Sequence, residues 1–363
     1  MSIAGKSPPT HLVAARAQKE HAQPGAVALW LLICAGSVFA MAVIGAITRL
    51  TGSGLSIMEW APISGSLPPL SQAEWERIFN LYREIPQYQL VNQGMSLEEF
   101  KTIFWWEWVH RLWGRLIGLI FLIPFVWFWL RGQLPAWLKP HGVALLALGG
   151  LQGVMGWFMV TSGFADRVDV SQYRLVLHLG LAILIYAYMF WLALRLIQPE
   201  PPRSPAAAPL LRKALVGLLV LLSITLVSGG FVAGLRAGFT YNTFPLMDGH
   251  LIPKGYGLLQ PWLSNLFENH AAVQFNHRLL ATFTVIAALG LWLCSRSQPI
   301  ADPARRAMNA IALVALLQFS LGIATLLLVV PVSLGALHQA GALVLLALVL
   351  AGLYFLRPAD SLG

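Results

Sequence analysis

Eight long apolar runs divide this 363-residue chain, and they constrain its fold more than any other feature. A bilayer core of about 30 Å needs about 20 consecutive apolar residues per helix, and every run reaches that length. The runs cover residues 26–48, 104–130, 141–163, 174–197, 214–235, 271–294, 307–330 and 335–356. Because lipid offers no hydrogen bonds to the backbone, we predict an all-α polytopic membrane protein with eight transmembrane helices.

The composition supports the bilayer as the main partner of the chain. Only 11% of the residues are charged and 57% are hydrophobic, whereas soluble domains carry about 25% charged residues. A net charge of +9 could indicate nucleic-acid binding. The basic residues are scattered through short segments, however, and form no stripe or block, so we predict no nucleic-acid partner.

The distribution of Lys and Arg predicts the orientation of the helices. Lys and Arg are more frequent in the segments that share a side of the membrane with the N-terminus than in the segments on the other side. Because basic segments stay inside, both termini are predicted to lie in the cytoplasm. The first apolar run is too long for a signal-peptide core, so we interpret it as a retained helix. Two long loops, roughly 49–103 and 236–270, then lie outside. The stretch 66–100 has helical spacing typical of amphipathic helices at the interface.

The chain contains an internal repeat of four helices. His110-Arg111-Leu112 corresponds to His277-Arg278-Leu279, and a glutamine follows in the next helix of each half, at Gln152 and Gln318. We therefore predict two four-helix bundles related by a pseudo-twofold axis along the membrane normal. The predicted divisions are a cytoplasmic tail 1–25, an N-terminal half 26–197, a cytoplasmic linker 198–213, a C-terminal half 214–356 and a tail 357–363.

Four histidines occupy repeat-related positions near the outer ends of the even-numbered helices. They form the pairs His110 and His178 in the first half and His277 and His338 in the second. Two imidazoles from different helices at matching depth are typical of bis-histidine heme ligation. The alternative for any one of them is a polar contact between helices. Two histidines alone underfill a zinc site, so we predict that each pair binds a heme iron.

Four arginines lie close to these histidines in the predicted topology. Arg111 and Arg278 directly follow two of the candidate ligands, and Arg49 and Arg236 close the first and fifth helices. Guanidinium groups bind carboxylates in a bidentate manner, which suits the propionates of a heme. An equally good interpretation of each residue is an interfacial arginine that reaches to lipid headgroups.

Glu107 distinguishes the two halves. It lies three residues before His110, on the same helix face, whereas the corresponding residue before His277 is Gln274. A carboxyl group in this apolar, Trp-rich segment suits proton transfer. The alternative is an interfacial glutamate that caps the first turn of the helix. The asymmetry favours a catalytic Glu107, and hence one active heme site and one supporting site.

Several long motifs resemble those of the heme A synthase family, and the resemblance extends from the first helix to the eighth. They are Glu-Trp-Val-His-Arg at 107–111, Arg-Leu-Thr-Gly-Ser-Gly-Leu-Ser at 49–56, Tyr-Asn-Thr-Phe-Pro-Leu-Met-Asp-Gly at 241–249 and Phe-Asn-His-Arg at 275–278. Some family members carry cysteine pairs in the outer loops. This chain has only Cys34 and Cys294, so it resembles the cysteine-free branch of proteobacteria and mitochondria.

The resemblance implies an oxidoreductase that converts heme O to heme A for terminal oxidases. Two hydroxylations and a dehydration turn the C8 methyl group into a formyl group. It further implies that His277 and His338 bind a resident heme b, that His110 and His178 hold the substrate heme O, and that Glu107 is the essential acid. Expected partners are heme O synthase, oxidase assembly factors and a membrane electron acceptor such as a quinone. The expected location is the bacterial inner membrane, with the heme sites near its outer face.

Two other functions remain open on the sequence alone. An electron-transfer cytochrome b with two bis-histidine hemes would need no catalytic carboxyl group, which makes Glu107 the residue that argues against it. A transporter built from parallel repeats would place its binding residues at broken helices in the middle of the membrane. The landmark residues here cluster instead near the outer face.

Overall fold

The computed structural model describes residues 24–61, 64–164, 167–200 and 208–357, and it contains eight helices long and apolar enough to span a membrane. We number them α1 to α8. Their bounds are Pro24–Leu50, Leu97–Leu130, Leu138–Val160, Gln172–Ile197, Ala208–Gly234, His270–Arg296, Asp302–Leu327 and Val332–Phe355. The predicted all-α membrane class is confirmed. Residues 1–23, 62–63, 165–166, the middle of the predicted linker (201–207) and 358–363 lie outside the described residues.

Helix α2 begins seven residues earlier than its apolar run, at Leu97 instead of residue 104. Ser96 explains the start, because its side chain accepts a hydrogen bond from the Glu99 backbone while the Glu99 side chain accepts from the Ser96 backbone. This reciprocal cap satisfies two free N–H groups of the first turn. The first two turns of α2 are therefore an extension that the hydropathy of the chain does not reveal.

Neighbouring helices pack in the same cyclic order in both halves. In the first half α1 packs on α2, α2 on α3, α3 on α4 and α4 back on α1; α5 to α8 repeat this order. The halves meet where α1 and α4 contact α8, and where α4 contacts α5. This order is consistent with two four-helix bundles. The two-bundle arrangement and its pseudo-twofold axis stay predictions.

A small aromatic core covers the N-terminal end of α2. Two short helices in the long loop between α1 and α2, Gln72–Arg83 and Pro86–Leu90, follow the predicted helical spacing. Their apolar side chains pack on the extension of α2 in a cluster that includes Trp75, Phe79, Tyr82, Phe100 and Phe104. The loop thus forms a folded cap whose apolar face is covered by the protein itself.

Candidate functional site

Each of the four candidate ligand histidines packs against a glycine of the preceding helix. A larger residue would crowd the ring, because a Cβ atom on any of these glycines would lie 2.8–3.2 Å from the imidazole Cε1. The glycine–histidine pairs are Gly45 with His110, Gly156 with His178, Gly229 with His277, and Gly322 with His338. The same contact at four repeat-related places indicates four imidazoles held for the same purpose. These glycines are also visible in the sequence, at aligned positions one helix before each histidine, but the pattern of histidines alone does not identify them.

The two imidazoles of the second half lie close together. The ring centroids of His277 and His338 are 6.5 Å apart, with an angle of 89° between the rings. That separation accommodates a metal ion with bonds of about 2.0–2.1 Å, the range for zinc–imidazole bonds. Among the described residues, no group of three His, Cys, Asp or Glu side chains could hold a bare ion. A porphyrin would supply four nitrogen ligands, so the pair fits a heme.

Each ligand of this pair has a polar neighbour at its second nitrogen. Nδ1 of His277 lies 2.8 Å from the Ser228 hydroxyl, and Nδ1 of His338 lies 3.1 Å from Gln318 Nε2. Gln318 also donates to the backbone carbonyl of His338 at 2.7 Å. The Ser228 oxygen can accept from Nδ1–H and so can orient a metal-binding imidazole. The Gln318 amide nitrogen only donates, so its bond to the backbone carbonyl is the contact that holds His338.

In the part of the first half that the structure describes, only one histidine of the pair has a polar neighbour of this kind. Gln152 occupies the place of Gln318, with its Nε2 3.2 Å from His178 Nδ1 and 3.1 Å from the His178 carbonyl. Within the described ranges, however, Nδ1 of His110 is buried and makes no hydrogen bond.

Glu107 is buried one turn before His110, with 3% of its surface exposed. Oε1 accepts from Arg111 Nε at 3.0 Å and Nη2 at 2.6 Å, and Oε2 accepts from the Ser56 hydroxyl and the Ile57 backbone, both at 2.8 Å. A carboxylate offers about four acceptor positions, so all are in use. The residue lies well inside α2, and the capping alternative for it is therefore wrong.

Gln274 takes the place of Glu107 in the second half. One end of its side chain accepts from an arginine as Glu107 does, but the other end donates hydrogen bonds where Glu107 accepts them. Its Oε1 accepts from Arg278 Nη2 at 3.0 Å, but its amide donates to the backbone carbonyls of Ala237 and Tyr241. One site is therefore built around a negative charge and the other around a neutral amide. Ser56, whose hydroxyl contacts Glu107, lies in a motif noted above, but no sequence pattern assigned it a role.

All four predicted propionate-binding arginines have partners within the protein. Arg111 and Arg278 donate to matching loop carbonyls, from Ile57 and Glu59 in the first half and from Tyr241 and Thr243 in the second. Arg49 and Arg236 both pair with Asp169, at 2.7 and 2.9 Å. Sequence analysis missed Asp169. Binding of propionates by these arginines stays a prediction.

The packing beside the two histidine pairs differs. In the first half Gly118, Gly149 and Gly153 are exposed, and a Cβ on any of them would meet nothing within 4 Å. The aligned residues of the second half are Val285, Ala315 and Phe319. Val285 and Ala315 are buried, and Phe319 packs against the core. Helix α2 therefore packs on α3 less closely than α6 packs on α7.

Comparison with known proteins gives concordant matches. The sequence model of a family described as cytochrome oxidase assembly protein matches residues 28–350. A protein named heme A synthase from Rhodospirillum centenum is 55% identical over 349 residues, which covers 96% of this chain and 93% of the relative. Proteins of the same name from Nitrosospira multiformis and Nitrosomonas eutropha are 54% and 51% identical, each over 88% of this chain and 90% of the relative.

Proposed function

The chain belongs to the cytochrome oxidase assembly protein family, and on that basis we propose that it is a heme A synthase, an oxidoreductase that converts heme O into heme A. Relatives of that name match it along nearly their whole length. The observation that carries the proposal is the unequal pair of sites. A buried carboxylate accompanies one histidine pair only, as expected when one heme undergoes chemistry and the other supports it.

We assign the resident heme b to His277 and His338. Support comes from the 6.5 Å separation of the rings and from the close packing of the residues around them. When bound, a bis-histidine heme supplies one-electron transfer. Gly229 and Gly322 leave room for the two imidazoles, Ser228 accepts from the ring of His277, and Gln318 holds the backbone of His338.

We assign the substrate heme O to His110 and His178. This heme carries an isoprenoid tail, so its site needs more apolar space than the other. Support comes from Gly118, Gly149 and Gly153, which carry no side chain, and from the looser packing of α2 on α3 than of α6 on α7. Glu107 lies one turn from His110. The aligned residue beside the other pair is the neutral Gln274.

The geometry favours an electrostatic role for Glu107. Conversion of a methyl to a formyl group takes up one water and releases four electrons and four protons. Positive charge therefore develops at the carbon being oxidised, and a fixed carboxylate stabilises it. Because all four acceptor positions of Glu107 are filled, it could take up a proton only by giving up a hydrogen bond. The burial of Glu107 strengthens this charge effect, because a charge acts more strongly away from water.

The remaining expectations complete the proposal. The protein lies in the bacterial inner membrane with both termini in the cytoplasm, and both heme sites face the outer side, where the long loops cover them. The divisions 26–197 and 214–356 are the substrate half and the heme b half. Electrons leave to a membrane acceptor such as a quinone. Heme O synthase delivers the substrate, and oxidase assembly factors collect heme A.

A cell that makes heme O but lacks this protein tests the function. Hemes extracted from its membranes should contain heme A only when the protein is produced. Formation of heme A without the protein would overturn the proposal. A protein that binds two hemes but forms no heme A would be an electron-transfer cytochrome b, and one that binds no heme would favour a transporter.

A further inference from the structure

The hydrogen bond between Ser228 and His277 has no counterpart in the other half. Ser228 precedes Gly229 on α5, and its Oγ lies 2.8 Å from His277 Nδ1. The residue that precedes Gly45 at the corresponding place on α1 is Ile44, which has no polar side-chain atom. Accordingly, Nδ1 of His110 is buried without a hydrogen-bond partner in the described part of the chain.

The direction of the Ser228 hydrogen bond follows from its second contact. Ser228 Oγ lies 2.7 Å from the backbone carbonyl of Thr225, which can only accept a proton. The single hydroxyl proton is therefore used there, and Oγ accepts a hydrogen bond from Nδ1–H of His277. With the proton on Nδ1, the Nε2 atom of His277 carries the free lone pair that a metal ligand needs.

We propose that Ser228 is a positioning residue that makes His277 a permanent ligand of the resident heme, whereas Ile44 leaves His110 an exchangeable ligand for substrate and product. The inference rests on the proposed function, because only a heme O-converting enzyme must release one heme and keep the other. A donated Nδ1–H strengthens the Nε2 donor and fixes the ring, and outer-shell partners of this kind typically contribute about 10–100-fold in affinity. The unpartnered ring of His110 lacks both effects.

A serine in a membrane helix can serve a purely local purpose. Ser223, one turn and a half earlier on α5, donates to the Leu219 carbonyl at 2.8 Å and is exposed. It makes the common bond of serine to the preceding turn. Ser223 is therefore a matched control, since it has the same side chain on the same helix without the imidazole.

The test uses the purified full-length protein loaded with hemin, with apomyoglobin as the heme acceptor. We expect Ser228→Ala to release the resident heme about 10–100-fold faster than the wild type. Its midpoint potential should shift to more positive values, because a weaker axial donor stabilises ferric iron less. Ser228→Thr, which keeps the hydroxyl, and Ser223→Ala should both behave like the wild type.

The reciprocal variant Ile44→Ser gives His110 a partner, and the heme of the first half should then leave more slowly. Unchanged release and potential in Ser228→Ala would overturn the role of Ser228, and unchanged release in Ile44→Ser would overturn the role of Ile44. These measurements need no turnover. If the wild type forms no heme A while Ser228→Ala still loses its heme faster, the proposed function fails but the positioning role of Ser228 stands.

Discussion

Arg111 donates two hydrogen bonds to a single oxygen of Glu107, from Nε at 3.0 Å and from Nη2 at 2.6 Å. The two residues are one turn apart on α2, with only 4% of the Glu107 side chain exposed. The pair fixes both the position of the carboxylate and the loop between α1 and α2, because Arg111 also donates to two carbonyls of that loop.

We expect Glu107→Gln to abolish formation of heme A while the resident heme remains bound. The amide keeps the shape of the side chain but removes the charge, and its NH₂ group would face either the Ile57 N–H or the Arg111 guanidinium. A buried donor without an acceptor costs about 1–3 kcal/mol. Heme extraction measures the product, and the pyridine hemochrome spectrum measures the resident heme. Wild-type formation of heme A would remove the role assigned to Glu107.

Arg111→Lys should also reduce formation of heme A strongly, although the charge is kept. One ammonium group cannot reproduce the four contacts that the planar guanidinium makes with Glu107 and the two loop carbonyls. The matched control is Arg278→Lys in the second half. It should instead lower the occupancy of the resident heme, measured as heme bound per protein. If both variants lost only the resident heme, the division of labour between the halves would be contradicted.

Gly322→Ala should displace His338 and lower the occupancy of the resident heme. The added methyl group would lie 2.8 Å from Cε1 of the imidazole, closer than a carbon contact allows. Gly290→Ala on α6 is the control, since a Cβ there meets nothing within 4 Å. We expect that control to gain about 0.5–1 kcal/mol of helix stability. Full heme occupancy in Gly322→Ala would show that the close contact is unimportant.

Gly153→Phe should reduce formation of heme A without loss of the resident heme. Phenylalanine is the residue at the aligned position of the second half, Phe319, so the substitution fills space that the first half leaves open. Titration of purified protein with heme O should show weakened binding at the first site. Phe319→Leu makes a change at the aligned position of the second half, where the substrate is not expected to bind, so heme O binding should stay the same. Unchanged heme O binding in Gly153→Phe would contradict the assignment of the open space.

Asp169→Asn should lower the thermal unfolding temperature, because Asp169 joins Arg49 of α1 to Arg236 at the end of α5. Ion pairs of this partly exposed kind contribute up to about 1 kcal/mol each. Glu98→Gln is the control, since Glu98 is 79% exposed and pairs only along its own helix with Lys101. Equal unfolding temperatures for the two variants would show that the bridge between the halves adds nothing.

Much of the architecture could be predicted because lipid imposes a simple rule. A helix that crosses the bilayer must be apolar over about 20 residues, so the eight spans followed from composition. The pairing of His277 with His338 followed from the repeat. The start of α2 at Leu97 did not, because a capping box outside the membrane lies in a polar segment that a search for apolar runs passes over.

The sequence by itself determined the eight spans, the histidine pairs and the difference between Glu107 and Gln274. Only the tertiary structure decided what each polar group contacts. Asp169 meets two arginines that are far from it in sequence, and Ser228 meets His277 across a helix interface. The physical reason is the distance along the chain over which each signal acts. Hydropathy and spacing act within a single helix, whereas a hydrogen bond between helices depends on their mutual rotation and depth, which the packing of the whole bundle sets.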